Sequence, residues 1–404
     1  MKILVIGNGF DIAHGLPTSY PEFLNFVKEY RKDESASGAE SSVRPDAVGF
    51  IARIKSAENG ALSELKELLS KENKLLDFFL AVYEDRCKVG KRGWVDFEAE
   101  ISDVIKAFDK IYEIEKEEEL RGNPTYIVDT YLQNAVGFLF LSNGILTNNR
   151  IKSYCNSGFP IGFFEPFVKD LFEYLNELTR IFEIYLIEYV EKIETKKRIP
   201  QIYELKDQFD CLVTFNYTDT FRRLYRKDGE LRCCFIHGKT KADSSLEDCS
   251  LVLGIDEYLP EDRQDRDNRF AWFKKFYQRI YKETSSVYID WLEEDLEENS
   301  KRGIPLYIYF YGHSLDVTDK DVLNKLIMYE NAEIRIFYHN KKALSGQINN
   351  LIKIIGEKNL IHMTRGSQRK IHFIQSDRVM DQQEIEDVIR AGQHFMHGLD
   401  YNHE

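Results

Sequence analysis

After residue 203 the chain repeats one pattern: a short apolar run with little polar alternation, then a helical stretch. The runs are CLVTF (211–215), RCCFI (232–236), SLVLG (250–254), PLYIYFY (305–311), EIRIFY (333–338) and IHFIQ (371–375). Helical stretches lie between most of them, near 218–227, 270–299, 319–330, 341–356 and 382–395. Strands that are apolar along their whole length are buried on both faces, which happens in parallel sheets covered by crossover helices. The pattern therefore predicts an α/β fold with a Rossmann-like, mostly parallel sheet. Residues 2–6 supply its first strand, followed by a helix from about Pro21 to Tyr30.

Between these two parts the period changes to three and four. Leu62, Leu65, Leu68 and Leu69, then Leu75, Leu76, Phe79, Val82 and Tyr83, keep helical spacing. So do Trp94, Phe97, Ile101, Val104, Ile105, Phe108 and Ile111. Residues 163–193 hold Phe164, Phe167, Leu171, Leu175, Leu178, Phe182, Tyr185 and Tyr189 on one face, which predicts a long helix. A small polar stretch, DESASGAESSVRPD (33–46), reads as a loop, and 143–162 is turn-rich. The expected organisation is a large all-helical insertion, 33–202, after the first strand of an α/β domain made of 1–32 and 203–404.

Composition removes several function classes. With 55 basic and 68 acidic side chains the formal charge is −13, which disfavours unaided nucleic-acid binding. No apolar run approaches the roughly 18 residues of a membrane helix, and the apolar run before Gly7 is too short for a signal peptide. The six cysteines (87, 155, 211, 233, 234 and 249) contain no Cys-x-x-Cys pair. Neither a zinc site nor a disulfide framework is expected, and reduced thiols in a cytoplasmic protein fit the pattern. His394, His397 and His403 near the carboxyl end read as a tail and not a metal site.

Ligands of open α/β sheets bind beyond the carboxyl ends of the strands. Five expected strands end there in glycine or a small polar group. They are Gly7-Asn8-Gly9 with Asp11, Asn216-Tyr217-Thr218, His237-Gly238, Gly254-Ile255-Asp256 and Gly312-His313-Ser314. One such end is ordinary turn chemistry, whereas five together are a site. The glycine loop is not a dinucleotide fingerprint, because Ile12 stands where the third glycine belongs. Thr218 is the better helix cap, which leaves Asn216 to point at a ligand. His237 is placed to act as acid or base, and His14 reads as structural. Gly312-His313-Ser314 lacks the second glycine of a nucleophile elbow, so a serine hydrolase is not expected.

Several segments together resemble the AbiH type of bacterial abortive-infection (anti-phage) proteins: ILVIGNGFDIAHGLPTSYPEF, WVDFE (94–98), LVTFNYTDTFRRLY (212–225), FIHG (235–238), LVLGID (251–256) and YGHSLDVTDKD (311–321). They are ordered and span nearly the whole chain. A more distant likeness is to sirtuins and sirtuin-like NAD-consuming defence proteins. That likeness places Gly7, Asn8 and Gly9 on a pyrophosphate loop and Gly15-Leu16-Pro17 on its Gly-Ile-Pro step. It places Asn216 on the catalytic asparagine, His237 on the catalytic histidine, and Gly312 and Ser314 on a motif that meets the adenosine half. The chain lacks the paired cysteines of the sirtuin zinc module, so the resemblance does not imply deacetylation.

The resemblance implies hydrolysis of NAD⁺ to nicotinamide and ADP-ribose, with NAD⁺ as substrate and no further cofactor. Asn216 would orient a water or the ribose hydroxyls, and His237 would accept a proton. Asp11 or Asp256 would bind a ribose hydroxyl, and glycine amides would bind the pyrophosphate. Such an activity needs gating by a phage trigger, and the helical insertion would be its lid or homo-oligomer surface. The competing expectation is a sensor that binds NAD or ADP-ribose without turnover and signals through the helical region. A third, an enzyme acting on nucleic acid, is opposed by the charge and by the lack of an Asp/Glu metal cluster.

Overall fold

A computed structural model describes residues 1–32, 43–88, 97–102, 104–106, 109, 164–226, 230–255, 268–366 and 369–395. The chain divides into two compact units. The first holds Met1–Thr18, Val190–Thr240 and Glu283–Glu404, and the second holds Ser19–Tyr189 and Lys241–Lys282.

Among the described residues the first unit has eight strands. They are β1 (Lys2–Ile6), β2 (Lys197–Arg198), β3 (Cys211–Thr214), β4 (Arg232–Phe235), β5 (Leu306–Tyr311), β6 (Ala332–Tyr338), β7 (Ile371–Gln375) and β8 (Met380–Asp381). β2 and β8 form a small antiparallel pair. The other six form one sheet in the order β4-β3-β1-β5-β6-β7, with every neighbouring pair parallel. The first strand sits at the centre and the chain grows outward on each side of it. This is the strand order of doubly wound, Rossmann-like nucleotide-binding folds, whose order reverses between the first and fourth strands. Here that point lies between β1 and β5.

Alternate residues serve the two faces. Ile3, Val5, Val213, Ile308, Phe310, Ile334 and Ile336 face one core. Helices Tyr288–Glu298, Lys320–Ile327 and Lys341–Ile355 cover it with Trp291, Leu323, Leu326 and Leu351. Leu4, Ile6, Leu212, Tyr309 and Tyr311 face the other, beside Phe10, Ile199, Ile202, Phe221 and Tyr225. Burial on both sides is the reason the strands read as unbroken apolar runs.

In the second unit the described secondary structure is helical: Tyr20–Arg31, Pro45–Lys55, Gly60–Ser70, Lys74–Lys88, Phe164–Glu188 and Lys275–Tyr281, with a 3₁₀ turn at Ala271–Phe273. A capping box between Ser19 and Glu22 starts the first of these. An aromatic core holds them, with Phe79 stacked on Phe97 at 4.1 Å and Phe26 against Tyr185 at 5.0 Å. Arg180 is buried but fully engaged, donating to Glu64, Glu183 and Ser244.

The boundaries differ from the expected 1–32 plus 203–404 and 33–202. The helix Tyr20–Arg31 belongs to the helical unit, because Phe23 and Phe26 pack on Phe182 and Tyr185. Residues 190–202 belong to the sheet unit, because Ile199 and Ile202 lie in its core.

One expected strand is absent. Residues 250–254 join no sheet and fall in the helical unit. The Gln278 side chain pairs with the Leu253 N–H (3.1 Å) and C=O (2.9 Å), as an adjacent strand would. Ile255 then forms a single parallel bridge with Lys274. Gly254 is thus not the end of a sheet strand, and a side chain there would strike the Phe273 carbonyl. Asp256, the stretch 143–162, His397 and His403 lie outside the described residues.

Candidate functional site

Four adjacent strands of the first unit, β4, β3, β1 and β5, deliver polar residues at one edge. Neighbouring strands lie about 4.8 Å apart, so their ends fall within about 15 Å of one another.

The glycine loop is bound to the end of β5. Gly7 N–H donates to Tyr311 O (3.2 Å) and Gly9 N–H to Gly312 O (2.8 Å). A Cβ on Gly9 would sit 2.7 Å from Gly312 O, and Gly312 itself has φ +66°. The glycines are therefore explained by close backbone approach where the strand order reverses. Two amides assigned to a pyrophosphate by the sequence are spent on the protein itself. Asn8 is exposed, and its side chain ties down the Gly15-Leu16-Pro17 turn by accepting from Thr18 Oγ1 at 2.5 Å. Gly15, at φ +75°, allows the chain to reverse there.

Behind the loop lies a buried polar cluster. Asp11 is 1 % exposed and Asn216 is 5 % exposed. Thr218 Oγ1 donates to Asp11 Oδ2 at 2.5 Å and touches Thr220 Oγ1 at 3.0 Å. Thr218 is thus not the cap of helix Thr220–Leu224, whose cap position is Asp219. The Asn216 amide faces Asp11, yet among the described residues neither its Oδ1 nor its Nδ2 closes a regular hydrogen bond, and nor does Asp11 Oδ1. Arg223 donates through Nη1 to the Glu191 carbonyl, while its buried Nε and Nη2 have no hydrogen-bond partner among the described residues. Burial pushes the Asp11 carboxyl up to about 6, and the Thr218 and Thr220 hydroxyls and the Arg223 charge hold it from rising further. Burial also raises Glu191, which accepts from Thr240 Oγ1 at 2.7 Å.

The third group is aromatic and charged. His237 and His313 are both buried. His237 Nε2 lies 2.9 Å from Asp319 Oδ1, an ion-pair distance. His313 Nε2 lies 3.8 Å from Asp319 Oδ2. Phe215, the residue before Asn216, sets its ring edge-on against His237 (5.5 Å) and His313 (4.3 Å). Gly238 follows His237 with φ +80°, a turn that glycine makes without strain.

His14 is structural, as its sequence position suggested. Its Nδ1 donates to Phe10 O (2.7 Å), so Nε2 accepts from Tyr225 OH (2.7 Å), which in turn accepts from Ile199 N–H (2.7 Å). Burial depresses the ring to about 4, so it is neutral at pH 7. Tyr225→Phe leaves His14 Nε2 and Ile199 N–H buried and unpaired, and is expected to cost about 2 kcal/mol in urea denaturation. An unchanged midpoint would show that the chain of bonds contributes nothing.

The structure gathers Asp11, Asn216, His237 and the Gly7–Gly9/Gly312 contact at this edge. Ser314 is exposed, and its carbonyl accepts from Asn350 Nδ2 at 3.0 Å. His313, beside it, is the buried member of that motif. Sequence reasoning missed Asp319, Arg223 and the Asp11–Thr218 bond. Each is a pairing between distant segments that carries no local signal. Among the described residues no His/Cys/Asp/Glu group could hold a metal ion, and His394 pairs instead with Glu204 at 2.6 Å. No described helix is long and apolar enough to cross a membrane.

A family model described as "Bacteriophage abortive infection AbiH" matches residues 3–340. Nothing among curated proteins or solved structures matches the chain.

Proposed function

The chain belongs to the AbiH family of bacteriophage abortive infection proteins, and from that premise we propose that it hydrolyses NAD⁺ to nicotinamide and ADP-ribose. The observation that carries this reading is the Asn216 amide, buried at the end of β3 with neither polar atom in a regular hydrogen bond among the described residues. Burying an amide without protein partners costs about 1–3 kcal/mol, which a ligand that pairs with it would recover. The doubly wound strand order supports a nucleotide as that ligand, in line with the distant sirtuin likeness of the sequence.

The reaction breaks the bond between nicotinamide nitrogen and ribose C1′, and positive charge develops on the ribose. Water adds to C1′ and loses one proton. Asn216 both donates and accepts, so it can orient that water or a ribose hydroxyl. His237 takes the proton, and Asp11 holds a ribose hydroxyl and, when ionised, stabilises the positive ribose. Because the Gly7 and Gly9 amides are engaged with β5, the glycine loop serves to shape the edge and to bring Asp11 to it.

The test is nicotinamide release from NAD⁺ by the purified protein and in phage-infected cells. Release that accompanies a fall in cellular NAD⁺ is the expected result. Tight NAD⁺ binding by calorimetry with no product favours a sensor instead, and constant NAD⁺ through infection removes the hydrolase reading.

A further inference from the structure

We infer that Asp319 is the positioning residue of the site: its carboxylate sits between His237 and His313 and fixes which ring nitrogen of His237 carries the proton. The inference rests on the proposed role of His237 as proton acceptor. Three features of the structure support it, and none of them was part of the reading from sequence.

First, both carboxylate oxygens of Asp319 are directed at histidine Nε2 atoms, at 2.9 Å from His237 and 3.8 Å from His313. Second, Asp319 stands at the cap position of helix Lys320–Ile327 and makes no side-chain cap bond. An aspartate there ordinarily satisfies a free helix amide and contributes about 1 kcal/mol. Asp316 does make such a bond nearby, to Thr318 N at 3.1 Å. Asp319 forgoes it and turns toward the rings. Third, the chain before it is strained in a way that orients His313. Leu315 has φ +56°, a conformation costly for a residue with a Cβ, and its N–H donates to His313 Nδ1 at 2.9 Å. With Nδ1 accepting, the His313 proton belongs on Nε2, facing Asp319. Phe215 packs edge-on against both rings.

A carboxylate beside His237 Nε2 stabilises the tautomer with the proton on Nε2, so Nδ1 is the basic nitrogen of the neutral ring. A carboxylate that sets the tautomer of a catalytic histidine is worth up to about 10⁴-fold in rate when it is replaced by its amide. His313 Nε2 faces the other oxygen of the same carboxylate at 3.8 Å.

The experiment compares wild type with Asp319→Asn by ¹⁵N spectra of histidine-labelled protein, together with NAD⁺ kinetics. The expected wild-type spectrum shows His237 with its proton on Nε2. In Asp319→Asn the tautomer populations change, and kcat falls at least about 100-fold with KM within about threefold. Asp319→Glu, which keeps the carboxylate, restores part of both. A wild-type His237 with its proton on Nδ1, or unchanged His237 shifts in a folded Asp319→Asn, overturns the inference. The wild-type spectrum decides even if the asparagine variant does not fold. If wild type releases no nicotinamide but the tautomer responds to Asp319→Asn, the hydrolase reading fails and the positioning role stands.

Discussion

Asn216→Ala is expected to lower nicotinamide release by at least about 100-fold while leaving stability within about 1 kcal/mol of wild type, or above it. The first half follows from the loss of a preorganised, buried amide that orients water or ribose, an effect of about 10²–10³ in comparable cases. The second half separates this residue from a structural asparagine. A buried amide with good partners costs about 1–3 kcal/mol to remove, because those partners are left unpaired. Among the described residues Asn216 Oδ1 and Nδ2 close no regular hydrogen bond, so their removal relieves a desolvation cost that offsets the packing lost with the side chain. The backbone N–H of Asn216, which donates to Thr214 Oγ1 at 3.0 Å, is untouched. The measurement is a pair: initial rates on NAD⁺ and urea denaturation of the same preparation. A variant that loses several kcal/mol and retains most of its activity would make Asn216 a structural residue and remove the observation on which the proposed chemistry rests.

The fold was legible where its physics is local. Strands buried on both faces must be apolar along their length, so β1 and β3 to β7 stand out in the sequence. The same logic misled at 250–254, since an apolar run reports burial and does not say what supplies the backbone partners. There a glutamine side chain does what a neighbouring strand would. The helix Tyr20–Arg31 was legible as a helix but not as a member of the helical unit, because its allegiance is set by rings more than a hundred residues away. The site divides in the same manner. Gly7, Gly9 and Gly312 were visible as special residues, yet the cause is their contact with each other. Asp319 reads as an ordinary helix cap, and only the folded chain brings it to His237.

The other large effect is one of pH, and it bears on Asp11. Burial is the main cause that lifts this carboxyl to about 6, against hydrogen bonds from Thr218 and Thr220 and the charge of Arg223. In the unfolded chain it titrates near 4. Between about pH 4 and pH 6 the folded protein holds a proton that the unfolded chain has released, so this group's contribution to stability falls as pH rises through that window. Above about pH 6 both forms are ionised and the loss is complete, at about 3 kcal/mol. Asp11→Asn keeps an acceptor for Thr218 and cannot ionise. It should match wild type near pH 4 and exceed it by about 3 kcal/mol at pH 7, measured by urea denaturation of both proteins across the range. The remaining carboxylates titrate alike in the two proteins, so the difference curve reports Asp11. A difference that does not grow with pH would show that the carboxyl titrates normally. A growing one would mean that at pH 7 the protein sustains an ionised carboxylate beside an unsatisfied amide at the expense of its own stability. That arrangement is useful where positive charge develops on a bound ribose, and Asp11→Asn should then be the more stable and the slower enzyme.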